Sequence, residues 1–149
     1  MQYCKKYPDA VAQIAGGVEA PQLTGCVKFY QKNGSVLIVA EIVGLPTKSE
    51  TGFFGFHIYQ GRNCSGDGFA GTEGHYNSTL QAHPEHAGDL PPLLQCHGNA
   101  YLSFKTDRFS VKDIIGRTVV IHSDPDDFHS QPAGNAGRKI ACGVIYKAR

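Results

Sequence analysis

Hydrophobic positions in this chain come in short blocks with a period near two, separated by turn residues, and no sustained helical spacing appears. Residues 10–16 (AVAQIAG) alternate weakly and predict a first strand. Residues 26–31 (CVKFYQ) predict a second, and Asn33-Gly34 behind it is a strong hairpin signal. Residues 35–43 (SVLIVAEIV) are rich in β-branched side chains and predict a third, stopped by Gly44-Leu45-Pro46. Residues 52–59 (GFFGFHIY) predict a fourth. Its alternation puts Phe54, Phe56 and Ile58 on one face and His57 and Tyr59 on the other, with Gly55 beside them. Strand character resumes at 98–104, 117–122 and 139–146, while 110–115 reads either as a strand or as a short turn of helix. Two stretches, 61–97 and 123–138, keep neither period, and structureless segments this long in a compact domain are commonly functional. The pattern predicts an all-β, antiparallel sandwich or barrel of about eight strands with two long loops. No repeat, low-complexity tract or linker divides residues 1–149, so one domain is expected.

Composition narrows the class. The chain has 149 residues, enough for one real core. Charged residues are only 18%, and Gly (18) and Pro (8) are abundant, as short strands joined by turns require. A net charge of +1 gives no reason to expect nucleic acid or an acidic membrane surface. No apolar run approaches the ~20 residues needed to span a bilayer. The first residues lack an apolar signal core, so a cytoplasmic location is expected. Five cysteines, Cys4, Cys26, Cys64, Cys96 and Cys142, leave at least one thiol without an intramolecular partner. None forms a CxxC pair, which argues against a thiolate zinc site, and Cys26 and Cys96 read as core or strand thiols.

Candidate chemistry concentrates in the first long loop. His75, His83, His86 and Asp89 fall within fifteen residues, in HYNSTLQAHPEHAGD. Imidazole and carboxylate suit zinc, and four ligands close a tetrahedral shell. The HxxH and HxxD steps need only local turns, with Pro84 and Gly88 setting bends. A closed site is usually structural, and its binding energy becomes folding energy for a loop poor in apolar side chains. His57 and His122 remain at strand ends, with Tyr59 two residues from His57, and a set of imidazoles there would suit copper. His97 and His129 have no evident partner and read as surface.

Taken together, GFHIY, the loop HYNSTLQAHPEHAGDL, GRTVVIHSDPDD and GNAGRKIACGV resemble the copper/zinc superoxide dismutase family, over roughly residues 10–147. The resemblance implies a Greek-key β-barrel of eight strands with a zinc loop and an electrostatic loop. It implies zinc ligands His75, His83, His86 and Asp89, with His75 bridging to copper. It implies copper ligands His57, His75 and His122 plus a fourth histidine, whose place is held here by Tyr59. Cys64 and Cys142 match the family's disulfide. Asp126 matches the carboxylate that joins a copper-ligand imidazole to a zinc-ligand one. A homodimer and superoxide as substrate are implied as well.

The departures from the family pattern matter. Its HxH is HxY in this chain, and the tyrosine reads either as a ligand or as a buried side chain that gives its hydroxyl to a neighbour. The arginine at the family's entrance is replaced by Lys139, with Arg138 next to it; either would supply positive charge, though Lys is a point charge and Arg a fork. The stretch from Cys64 to His75 is long and Gly-rich, the loop after Asp127 is short, and Gly74 stands where a proline is expected. A complete zinc site and an altered copper site are therefore expected, with dismutation of superoxide to oxygen and peroxide slowed or lost. The alternatives are a non-catalytic zinc-stabilised barrel and a copper-binding or storage protein.

Overall fold

A computed structural model describes residues 7–148. Cys4 lies outside them. The strands are β1 (Ala10–Gly16), β2 (Thr24–Gln31), β3 (Val36–Val43), β4 (Phe53–Phe54), β5 (Phe56–Tyr59), β6 (Leu93–Leu94), β7 (Ala100–Thr106), β8 (Thr118–His122) and β9 (Lys139–Lys147). Seven of them form one antiparallel sheet in the order β5-β8-β9-β1-β2-β3-β7, while β4 pairs with β6. Because β4 runs on into β5 and β6 lies next to β7, the small sheet bridges the two edges of the large one. The result is the expected antiparallel β-barrel.

Alternation selects the core. Ala10, Ala12 and Ile14 of β1, Val27 and Phe29 of β2, and Val36, Ile38, Ala40 and Ile42 of β3 all point inward and are buried. Gln13, Lys28 and Glu41 take the positions between them and face solvent. The predicted strand 52–59 breaks at Gly55. There the chain gives its N–H to Asp124 O at 2.9 Å and accepts from His122 N at 2.8 Å, so Phe53–Phe54 turns away to pair with β6. Residues 110–115 resolve as a short helix, α1 (Val111–Ile114). Its start is fixed by the Asp113 carboxylate, whose Oδ2 accepts from Ser110 N–H at 3.0 Å and from Ser110 Oγ–H at 2.7 Å.

β5 and β8 are buried on both faces. Phe56, Ile58, Val119 and Ile121 face the core. His57 and Tyr59 take the other face of β5, opposite Val120 and Thr118 of β8. That outer face is covered by the two long loops. The first loop lies along the edge of β5 through backbone bonds from Gly61 N to Thr72 O (2.8 Å), Gln60 N to Gly74 O (2.9 Å), Tyr76 N to Ile58 O (2.8 Å) and Ile58 N to Gly88 O (2.9 Å). Gly88 is required there, because a Cβ would sit 2.2 Å from Ile58 O. The loop also holds a 3₁₀ turn, Asp67–Thr72, whose order its sequence does not announce.

Candidate metal centre

The loop bonds to β5 set the histidines face to face. His75 Nδ1, His83, His86 Nδ1 and Asp89 form one group of donors, and His57, His75 and His122 form a second; within each group the donor atoms lie within 4.8 Å of one another. His75 belongs to both, and its ring centre lies 4.2 Å from that of His57.

The first group is tight. His75 Nδ1 lies 2.7 Å from Asp89 Oδ1 and 3.1 Å from His86 Nδ1, and Asp89 Oδ2 lies 3.2 Å from His86 Nδ1. His83 Nδ1 is 3.1 Å from Asp89 Oδ2 but lacks hydrogen-bond geometry and is a buried nitrogen with no partner. Zinc bonds of about 2.0–2.1 Å put tetrahedral ligand atoms roughly 3.4 Å apart, close to these separations. Burial alone would raise the Asp89 carboxyl, but bonding and charge from His75, then charge from His83 and His86, hold it below its usual value. Burial lowers His86, which keeps that imidazole neutral.

Asp126 links the two groups. Its Oδ2 accepts from His57 Nε2 at 2.7 Å and its Oδ1 from His83 Nε2 at 2.7 Å. Burial opposes the Asp126 charge, yet these two bonds and one from Phe128 N–H outweigh it and push the carboxyl far down. With both Nε2 atoms donating, the neutral imidazoles carry their lone pairs on Nδ1. Those Nδ1 atoms, with His75 Nε2, are buried without a partner. Buried polar atoms in a folded chain are nearly always satisfied. Three orphaned imidazole lone pairs fit cations: His83 Nδ1 with the first group, His57 Nδ1 and His75 Nε2 with the second.

The second group does not fit as completely. His122 Nδ1 donates to Gly137 O at 3.1 Å, so its Nε2 is an acceptor. That atom takes the Tyr59 hydroxyl at 2.6 Å. Burial, then the charges of Asp89 and Asp126, raise the Tyr59 phenol, so it stays protonated and donates. Burial and the nearby His57 bring His122 down to about 3. Tyr59 thus engages the one nitrogen that His122 has to offer a metal. Lys139, opposite His122 at the β8–β9 bulge, folds over Tyr59 with Nζ 4.3 Å from the ring centre. Arg138 is not part of the set: its Nε pairs with Glu19 Oε2 at 3.0 Å and its side chain is 76% exposed.

Cys64 and Cys142 form a disulfide that joins the first loop to β9 and packs with Val120 against Tyr59. Cys26 is free and half-buried, while Cys96 is free and exposed, between β6 and β7 rather than in the core. His97 and His129 are exposed. Thr72, Gly134 and Gly137 escape sequence reasoning, because each acts on the site through a side-chain or backbone contact across the fold. Among the described residues no helix is long and apolar enough to cross a membrane.

The sequence profile of the family described as copper/zinc superoxide dismutase (SODC) matches residues 23–145. Copper/zinc superoxide dismutase 2 of Aquifex aeolicus is 37% identical over 139 residues, covering 83% of this chain and 80% of that one. Copper/zinc superoxide dismutase 3 of Arabidopsis thaliana is 34% identical over 153 residues, covering 91% and 88%. In fold, the chain is similar to a crystal structure of a SOD-like protein from Bacillus subtilis, a double mutant with a tyrosine and a proline each changed to histidine; the TM-score is 0.81 at 23% identity, covering 95% and 99%. An antiparallel barrel whose first loop brings histidines, and whose second brings Asp126, over β5 and β8 is therefore accompanied by sequence likeness along most of its length, and the chain belongs to the copper/zinc superoxide dismutase family.

Proposed function

We propose that this chain is a metal-binding superoxide dismutase-like protein with a complete zinc site and a copper site that Tyr59 obstructs. His75, His83, His86 and Asp89 hold zinc. His57, His75 and His122 face copper, with Tyr59 in the fourth place, and Asp126 orients His57 and His83. Bound copper supplies the one-electron exchange by which two superoxide ions and two protons become oxygen and hydrogen peroxide. The rest falls to the chain's own residues. The unpartnered His75 Nε2 offers a place for a proton, the loops exclude water from the imidazoles, and Lys139 puts positive charge at the mouth. Superoxide is the substrate, and one domain over 1–149, a homodimeric assembly and a cytoplasmic location belong to the same reading.

The observation that carries it is the bond of the Tyr59 hydroxyl to His122 Nε2 at 2.6 Å. Releasing that nitrogen to a metal breaks a buried hydrogen bond and leaves the phenol unpaired, which costs on the order of 1–3 kcal/mol, or about five- to 150-fold in affinity. Dismutation is accordingly slow. Stopped-flow superoxide decay with copper- and zinc-loaded protein tests this, and decay at the speed of family members with four copper histidines refutes it. Tyr59→His removes the obstruction and raises copper affinity, read by competition with a copper chelator. The same bond favours a second reading, a zinc-stabilised barrel without turnover. Metal analysis separates the two: one equivalent of zinc without copper supports the second, and a full equivalent of each supports the first.

A further inference from the structure

Tyr59 is held from two sides. Its hydroxyl bonds His122, and Lys139 Nζ lies 4.3 Å from its ring centre. An ammonium over a phenol face is attracted by the ring's negative charge density, more strongly where water is excluded. Lys139 does not find that position by its own flexible stem. Its Nζ donates to Thr72 Oγ1 at 2.7 Å and to Glu73 O at 3.1 Å, so two of its three N–H groups are fixed.

Thr72 is built to receive them. Its residue exposure is 0%. Its own hydroxyl proton goes to Phe69 O at 2.7 Å, which leaves only lone pairs to face the ammonium. Its backbone is tied to the end of β5 through Gly61 N–H at 2.8 Å. Thr72 sits in the Gly-rich stretch between Cys64 and His75, outside both donor groups. Other charges leave Lys139 to this arrangement. Arg138 turns away to Glu19, and the Glu73 carboxylate accepts from Gln60 Nε2 at 3.3 Å.

We propose that Thr72 is a positioning residue: it holds Lys139 over Tyr59, and Lys139 holds the phenol on His122, so that the three imidazoles stay closed to a second metal ion until the Thr72–Lys139 bond opens. The inference rests on the reading that His57, His75 and His122 face one ion, and adds a gate made of residues that do not touch it. The cation at the mouth then acts first on the tyrosine and only second on an incoming anion.

The test uses the full chain loaded with zinc. In the wild type, the tyrosine ring current shifts the Lys139 ε-methylene protons upfield in heteronuclear NMR. Thr72→Val returns them toward free-lysine values and speeds copper(II) uptake about ten-fold or more, as loss of a charge-assisted bond implies. Thr72→Ser, which keeps the hydroxyl, retains both the shift and the slow uptake. Unshifted ε protons in the wild type overturn the gate, as does wild-type uptake by a zinc-loaded Thr72→Val protein. Should Thr72→Val not fold, Lys139→Met takes its place, with uptake compared at low and high salt. Removing charge alone speeds a cation's approach only where salt does not screen it. A gain that survives high salt supports the gate, and one that vanishes overturns it. Zinc content is measured first: a wild type that takes up no zinc sinks the ligand reading, a result distinct from any of these.

Discussion

Asp126 does with one carboxylate what two separate residues would otherwise do: its oxygens fix the tautomers of His57 and His83, one in each donor group. Asn in its place has a single acceptor oxygen, and its NH₂ would meet an imidazole N–H. One ring must then turn or lose its bond. Asp126→Asn is expected to lower zinc affinity about 10- to 100-fold, as loss of an orienting partner does, measured by competition with a chromophoric chelator; unchanged affinity would mean the loop alone orients His83. The carboxylate also depends on a bare backbone. A Cβ on Gly134 would fall 2.0 Å from Asp126 Oδ1 and 2.5 Å from His83 Nε2, at a φ of +73°. Gly134→Ala is therefore expected to weaken zinc binding at least as much, with the barrel's circular dichroism preserved. At this scale the sequence discloses chemistry better than contact. Four ligand-type side chains within fifteen residues announce a metal. Nothing in HIY says that the tyrosine will reach His122, because that bond depends on β5 lying beside β8 in one register.

The strands of the barrel are legible wherever one face meets the core and the other meets water, as in β1 and β3, since burial there follows period two. The ends of β5 do not follow this rule. Its outer face is covered by a loop, so all four of its residues are buried, and the break at Gly55 comes from bonds to residues near 122–124 that no local pattern carries. β6 has two residues and no period at all. The first loop is ordered by its bonds to β5, the disulfide, side-chain ties from Arg108 and Gln131, and the donor group. Only the last depends on a metal. Apolar burial anchors this loop only at its ends, through Tyr76, Ala87 and Leu90, while Leu80 in its middle is 89% exposed. Chelation of zinc is therefore expected to raise hydrogen exchange at the amides of residues 75–90 while those of β1, β2 and β3 keep their protection, which exchange mass spectrometry would read. Equal protection with and without chelator would show that the loop needs no ion. Arg108 gives the middle of the loop a metal-independent tie, from Nη1 to Pro84 O at 2.8 Å and to His86 O at 3.1 Å, so its loss should add to the effect of chelation.

For the molecule as a whole, the disulfide decides how far loosening of the loop reaches the barrel. Cys64 and Cys142 are 78 residues apart in sequence, so the bridge closes a long loop of the unfolded chain. The chain-entropy account assigns such a closure roughly 4 kcal/mol of native stability. A domain of this size loses about 2–4 °C of melting temperature per kcal/mol, so reduction should lower Tm by roughly 10 °C. The bridge also stands within the small cluster of Tyr59, Val120 and Phe69, where it fixes the segment that carries Thr72. Reduction should therefore act twice: globally on the unfolded chain, and locally on the hold that Thr72 keeps on Lys139. Scanning calorimetry with and without reductant reads the first effect, and copper(II) uptake at a temperature well below the transition reads the second. A lowered Tm with unchanged uptake would mean that the bonds from Thr72 and Gly74 to the β5 edge hold that segment unaided. An unchanged Tm would overturn the first effect, because that entropy belongs to the unfolded chain and no bond of the native loop replaces it. Repeating the scan on zinc-free protein removes the contribution of metal binding to Tm, while the entropy of the closed loop persists when the metal is gone.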